Sequence, residues 1–188
     1  MRGGSATFVL KDEAATLNFG RALAQRLPKA GEIPTVLLRA PLGSGKTTLV
    51  RGFVSALPGA FNAEVSSPSF NLANVYPTSP RTLHVDLYRL GKGVTARDLE
   101  GILDLGADIQ EAFAGNKTDG TGETGTASIA ILVEWAEYLP EDFLPADRLE
   151  IELRVSGKGR TALATAHGPL ALAWLATTLT TSSQSFAS

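Results

Sequence analysis

Thr35-Val36-Leu37-Leu38-Arg39-Ala40-Pro41-Leu42-Gly43-Ser44-Gly45-Lys46-Thr47-Thr48-Leu49-Val50 carries an apolar run into a glycine-bearing turn and on into a helix-like stretch that continues to Leu57. Strand, tight turn and helix in that order are the setting in which Gly45-Lys46-Thr47 reads as a phosphate-binding loop. A loop wrapped round a polyphosphate needs glycine where backbone crowds the ligand and successive N–H groups aimed at anionic oxygens. It also needs a lysine for the outer phosphates and a hydroxyl for Mg²⁺. Gly43, Gly45, Lys46 and Thr47 supply those parts, within a turn completed by Leu42, Ser44 and Thr48. The full pattern G-x-x-x-x-G-K-[ST] asks for glycine at position 40, where this chain has Ala40 followed by Pro41. Alanine serves there if its φ is negative, and Pro41 removes one N–H while fixing φ. The competing reading is an ordinary strand-to-helix turn, and the order of the elements weighs against it.

Outward from this stretch, 188 residues with 44% hydrophobic content suffice for one domain with a substantial core, read here as residues 1–180 with a disordered tail over 181–188. The net charge is −2 and the basic residues are scattered, so the chain lacks the electrostatic footprint of a nucleic-acid binder. Contact with RNA is expected only indirectly, through a partner. Absence of cysteine excludes disulfides, thiol catalysis and cysteine-built zinc sites, and two separated histidines argue against a histidine-built metal site. Met1-Arg2-Gly3-Gly4 leads into a strand without an apolar leader, and no stretch is long enough to span a bilayer, so a soluble, cytoplasmic protein without membrane contact is expected.

Ala6–Leu10 reads as a strand, and Asp12 as the cap of a helix reaching about Leu27, with Ala14, Leu17, Ala22 and Leu23 on its inner face. Pro58-Gly59 closes the helix that follows the loop. Strands are predicted over Asn71–Tyr76 and Thr82–Leu90, a capping box at Thr95–Asp98 opens a helical stretch to about Ala114, and residues 115–127, rich in Gly and Thr, read as a flexible insertion. Ile129-Ala130-Ile131-Leu132-Val133 is a continuous apolar run ending in Glu134, the signature of a strand buried on both faces. Arg148–Val155 and Arg160–Ala166 read as a hairpin around Gly157-Lys158-Gly159, followed by a helix over Leu170–Leu179 and disorder from Thr180. The fold class is α/β: a central, mostly parallel sheet flanked by helices, with an antiparallel hairpin near the C-terminus.

A nucleotide hydrolase also needs a carboxylate on the metal side, which in open α/β sheets comes from the C-terminal end of a strand beside the phosphate loop. Asp86, after Leu83-His84-Val85, and Glu134 both qualify. The bland reading of Asp86 is a solvent-facing strand residue paired with Arg89. Glu134 is harder to explain that way, because a carboxylate at the end of a buried strand costs several kcal/mol unless a cation or donors compensate it. It serves either Mg²⁺ or the attacking water. Ser67 and Ser69 read either as a γ-phosphate-sensing switch or as a plain Ser-Pro turn. His84 reads as a satisfied core or interface histidine rather than a catalytic base, and Trp135 and Tyr88 as core or surface aromatics, each next to a candidate acid or arginine.

Together, Leu42–Gly52, Ser67-Pro68-Ser69-Phe70, His84-Val85-Asp86-Leu87-Tyr88-Arg89 and Leu132-Val133-Glu134-Trp135 resemble the bacterial P-loop ATPase family TsaE (also called YjeE) of tRNA threonylcarbamoyladenosine biosynthesis. The departures are Ala40-Pro41, Ser69 in place of the usual threonine, and the 115–127 insertion. The resemblance implies a P-loop NTPase-like fold in which Lys46 contacts the phosphates of ATP, Thr47 and Asp86 hold Mg²⁺, Glu134 serves metal or water, and the Ser67–Phe70 loop is a switch; Trp135 is included among the nucleotide-binding residues. It further implies slow hydrolysis alone and action on the TsaB–TsaD heterodimer, which modifies position 37 of tRNA. The alternatives are a small P-loop kinase, for which no arginine-rich lid is visible, and a nucleotide-binding scaffold with little hydrolysis, for which Ala40-Pro41 is the best argument.

Overall fold

A computed structural model describes residues 4–28, 32–95, 97–102 and 129–185. The predicted helical continuation to Ala114 and the insertion at 115–127 lie outside the described residues. The strands are β1 (Gly4–Leu10), β2 (Thr35–Arg39), β3 (Ala73–Tyr76), β4 (Arg81–Asp86), β5 (Ile129–Glu134), β6 (Arg148–Ser156) and β7 (Gly159–His167). The helices are α1 (Glu13–Gln25), α2 (Lys46–Ser55), α3 (residues 97–102) and α4 (Pro169–Ser185). The strands form one mixed sheet in the order β1-β7-β6-β2-β5-β4-β3. Its centre, β6-β2-β5-β4, is parallel, and antiparallel partners are added outside it: β7 on β6, β1 on β7, and β3 on β4. This is the α/β, P-loop NTPase-like architecture expected, including the β6–β7 hairpin.

The apolar runs of β2, β4 and β5 follow from burial on both faces. Along β2, Val36 and Leu38 enter a core shared with α1, α2 and α4, whereas Leu37 enters a second core on the opposite face with Leu99 and Ile102 of α3. The same period of two splits β5, with Ala130 and Leu132 on the α2 side and Val133 on the α3 side. Residues 84, 86 and 134 have the parity of the α2 side. The register sets Leu38 beside Glu134 and Glu134 beside Asp86, so two acids sit side by side at the carboxyl ends of adjacent strands, next to the strand that feeds the glycine turn.

Helices α1 and α2 are locked together by a reciprocal close approach. A Cβ on Gly20 would lie 2.1 Å from the Leu49 carbonyl oxygen, and one on Gly52 would lie 2.1 Å from that of Leu17. This contact explains why the buried face of α1 is Ala15, Thr16, Phe19, Gly20, Leu23 and Ala24. Of the face read from sequence only Leu23 is buried; Ala14 is exposed and Leu17 and Ala22 are half-buried. The glycine that lets the two backbones touch fixes which side of α1 faces α2, and Phe19 and Leu23 flank it. The Asp12 cap is as read, accepting from the Ala15 N–H at 2.7 Å.

Two boundaries differ by four residues or more. The strand read as Thr82–Leu90 ends at Asp86, whose Oδ1 accepts the Tyr88 N–H at 2.9 Å in an Asx-type turn that diverts the chain. α4 passes Leu179 and continues to Ser185, so residues 180–185 of the segment read as disordered extend the helix, and 186–188 lie outside the described residues. The hydroxyls of Thr177 and Thr178 fold back on the Trp174 carbonyl, a use of threonine compatible with helix. Among the described residues no helix is long and apolar enough to cross a membrane.

Candidate active site

The glycine turn between β2 and α2 is built on two left-handed glycines, Gly43 (φ 76°) and Gly45 (φ 102°), conformations that side chains disfavour. Among the described residues only Leu72 and Trp135 share a positive φ without being glycine, so Ala40 occupies its place without that strain. The Lys46 ammonium donates to the carbonyls of Ala40 (2.8 Å) and Pro41 (3.1 Å) and lies 3.8 Å from the centre of the Trp135 ring. The variant start of the loop therefore supplies the lysine's acceptors through its backbone. Burial pushes the Lys46 pKa below lysine's ordinary value, against the opposing pull of Glu134, Glu137 and Asp86.

Asp86 and Glu134 are each only 2% exposed. Glu134 Oε1 accepts the Thr47 hydroxyl at 2.8 Å and meets His84 Nε2 at 2.9 Å. Asp86 Oδ2 accepts a short hydrogen bond from Ser67, whose hydroxyl also meets that of Ser69 at 2.9 Å. The surface reading of Asp86 thus gives way: it is buried, and the Arg89 guanidinium donates to the Phe70 carbonyl at 2.6 Å instead. The two serines and the acid they face belong to one cluster, and the Asn71 N–H donating to the Pro68 carbonyl at 2.9 Å closes the turn that the local sequence also suggests.

One cavity of about 420 Å³ gathers Leu42, Gly43, Gly45, Lys46, Thr47, Thr48, Ser67, Ser69, Asp86, Glu134 and Trp135, together with Tyr88. Every site residue read from sequence lines it except Ser44, whose buried hydroxyl has no partner. Four neighbours of the site stand outside the residues assigned to it from sequence, although His84 and Tyr88 each carry a structural reading there. Tyr88 packs on Trp135 with ring centres 4.9 Å apart, and Trp135 stacks on Tyr138 at 5.8 Å, forming an aromatic wall. His84, fully buried, touches Glu134 rather than serving only the core, and Tyr76 backs it at 3.3 Å. The alternation His84-Val85-Asp86 was a signal for the histidine, since it places both polar residues on one face.

A buried lysine at a helix N-terminus, a hydroxyl beside it and two acids opposite make a cavity that can take a polyanion at one end and hold a cation or a water at the other. The pattern of the family described as "Threonylcarbamoyl adenosine biosynthesis protein TsaE" matches residues 10–162. The Mycobacterium bovis protein named "tRNA threonylcarbamoyladenosine biosynthesis protein TsaE" is 32% identical over 169 residues, covering 87% of this chain and 86% of the relative. A Rickettsia felis protein of the same name is 35% identical over 148 residues, 78% and 71% of the two chains. Among solved structures, Bacillus subtilis YdiB superimposes with a TM-score of 0.63 over 96% of this chain and 97% of the other, at 22% identity, a likeness of fold.

Proposed function

The chain belongs to the TsaE family of threonylcarbamoyl adenosine biosynthesis proteins, and from that premise we propose that its cavity binds and hydrolyses Mg-ATP, serving tRNA modification as a nucleotide switch on a TsaB–TsaD pair in the cytoplasm. One observation carries this reading: Lys46, Thr47, Asp86 and Glu134, drawn from three separate segments, converge on one cavity, and Thr47 is joined to Glu134 at 2.8 Å.

The donor set fits magnesium. Thr47, Ser67 and Ser69 offer hydroxyls and Asp86 and Glu134 carboxylates, all hard oxygens, and two buried acids side by side call for positive charge. Among the described residues no cluster of His, Asp and Glu holds a metal unaided. Such an ion is typically taken through one or two carboxylates plus phosphate oxygens. Thr47 and Asp86 would hold it, and when bound it would neutralise charge on the phosphates. Lys46 exchanges the Ala40 and Pro41 carbonyls for phosphate oxygens, and the N-terminus of α2 adds its N–H groups. Glu134, fixed by Thr47 and His84, orients water or metal at the far side of the phosphates, and Trp135 and Tyr88 form the apolar wall.

The test is Mg-dependent ATP hydrolysis by the purified protein, alone and with the TsaB–TsaD pair of its own organism. Slow turnover alone and strong stimulation by the pair are expected. Nucleotide binding with hydrolysis absent in both conditions would replace the switch with a scaffold, and phosphate transfer to an added acceptor would make the protein a kinase.

A further inference from the structure

The buried pair Tyr76–His84 joins the Ser66–Ser69 loop to Glu134 by hydrogen bonds alone. With Glu134 ionised, Oε1 has only lone pairs, so the proton in its 2.9 Å contact belongs to His84 Nε2. In the neutral ring, Nδ1 is then an acceptor. Tyr76 lies 3.3 Å from Nδ1 and 3.2 Å from the Ser66 carbonyl, and it has one hydroxyl proton for these two acceptors. Burial raises the Tyr76 pKa, which keeps that proton on the oxygen. Ser66 directly precedes the serine that donates to Asp86. A move of this loop therefore reaches the Glu134 end of β5 by two routes on the α2 side of the sheet: through Asp86, its register neighbour on β4, and through Tyr76 and His84.

We infer that His84 is a positioning residue for Glu134, and that Tyr76 couples it to the Ser66–Ser69 loop by sharing one proton between the loop carbonyl and the imidazole. While the loop carbonyl takes the proton, Nδ1 is left without a donor and the ring is held from the Glu134 side only. When the carbonyl withdraws, Tyr76 commits its proton to Nδ1, fixes the Nε2–H tautomer and aims Glu134 at the cavity. The loop's position and the acid's alignment then change together without direct contact. This inference rests on the role proposed above for Glu134.

The test compares His84→Gln, His84→Asn and Tyr76→Phe with wild type and Glu134→Ala, in ATP turnover with the partner pair, mant-ADP affinity and hydrogen exchange of the 66–72 backbone, all well below each variant's Tm. A glutamine amide reaches the place of Nε2 and an asparagine amide only that of Nδ1, so Gln should retain turnover whereas Asn should lose it ~10-fold or more with mant-ADP affinity unchanged. Tyr76→Phe should lower kcat with little change in KM and speed exchange in the 66–72 segment while leaving α1 unaffected. A purely structural His84 predicts equal effects of Gln and Asn that follow Tm, and that result would overturn the inference. So would unchanged exchange in Tyr76→Phe. If Glu134→Ala is impaired while all three variants turn over normally, only the relay falls; if Glu134→Ala turns over like wild type, the proposed role of the acid falls with it.

Discussion

Thr47, the hydroxyl that follows Lys46 at the start of α2, donates to Glu134 Oε1 at 2.8 Å across 87 residues of chain. The loop and the acid at the end of β5 are thereby one hydrogen-bonded unit before any nucleotide arrives. Their separate duties are nevertheless resolvable. Lys46→Ala should weaken mant-ADP binding by ~100-fold, the loss of charge-assisted hydrogen bonds to phosphate. Glu134→Ala should leave that affinity within a few-fold of wild type and lower turnover with the partner pair by ~100-fold or more. Equal losses of affinity in both variants would show that the acid serves binding.

The Lys46 ammonium over the Trp135 ring makes the indole a reporter. Nucleotide should draw the lysine toward phosphate and change the Trp135 emission. The chain's other tryptophan, Trp174, is buried with its N–H on the Leu23 carbonyl at 3.0 Å and should stay silent. A titration with ATP or ADP should therefore change fluorescence in wild type and Trp174→Phe and leave it flat in Trp135→Phe. A signal surviving in Trp135→Phe would place the change elsewhere.

The crossing of α1 and α2 leaves no space for a methyl group. Gly20→Ala and Gly52→Ala each bring a carbon against a backbone carbonyl, and overpacking of this kind costs ~1–3 kcal/mol, a fall of about 3–10 °C in Tm for a chain of this size. Because α2 carries Lys46 and Thr47, weaker nucleotide binding should accompany the lost stability. Melting curves with and without ADP separate the two effects.

Stability should respond to alkali in two opposed ways. Lys46 has a folded-state pKa below 10.5, so in the window between the two values the unfolded chain binds more protons and stability rises with pH. Tyr76 has a folded-state pKa above 10.0, so beyond that point the folded chain retains a proton the unfolded chain has lost and stability falls. Denaturant titrations across the alkaline range should show Lys46→Gln without the rising part and Tyr76→Phe without the falling part. A Lys46→Gln curve parallel to wild type would contradict the burial of the ammonium.

Much of this was legible in the sequence because it was carried by local chemistry. Gly43 and Gly45 announce positive φ, and the five apolar residues before Glu134 announce a strand covered on both faces. Asp12 announces a cap. What escaped depended on partners distant in sequence. No periodicity in α1 could show that Gly20 meets a carbonyl of α2, so the sequence places the inner face on Ala14, Leu17, Ala22 and Leu23 rather than on the stripe centred on Thr16, Phe19, Gly20 and Leu23. The alternation around Asp86 does not reveal that Asp86 bends the chain by capturing the Tyr88 N–H, and the strand was read four residues too long. His84 reads from its sequence setting as a core or interface histidine, and it is buried, but its contact with Glu134 exists only because β4 and β5 lie side by side. Ala40-Pro41 looked like a defect when counted as side chains and proves to serve Lys46 through its carbonyls.

The position of β2 in the sheet has a consequence for the protein's synthesis. Its neighbours on either side are β5 and β6, which lie about a hundred residues further along the chain. On the ribosome, the segment bearing Lys46 and Thr47 emerges on the order of ten seconds before the strands that must flank it. Pairings this remote in sequence close late and slowly. The cavity that gathers Lys46, Thr47, Asp86 and Glu134 therefore has no formed walls while the chain is growing, and a ligand held there marks a completed molecule.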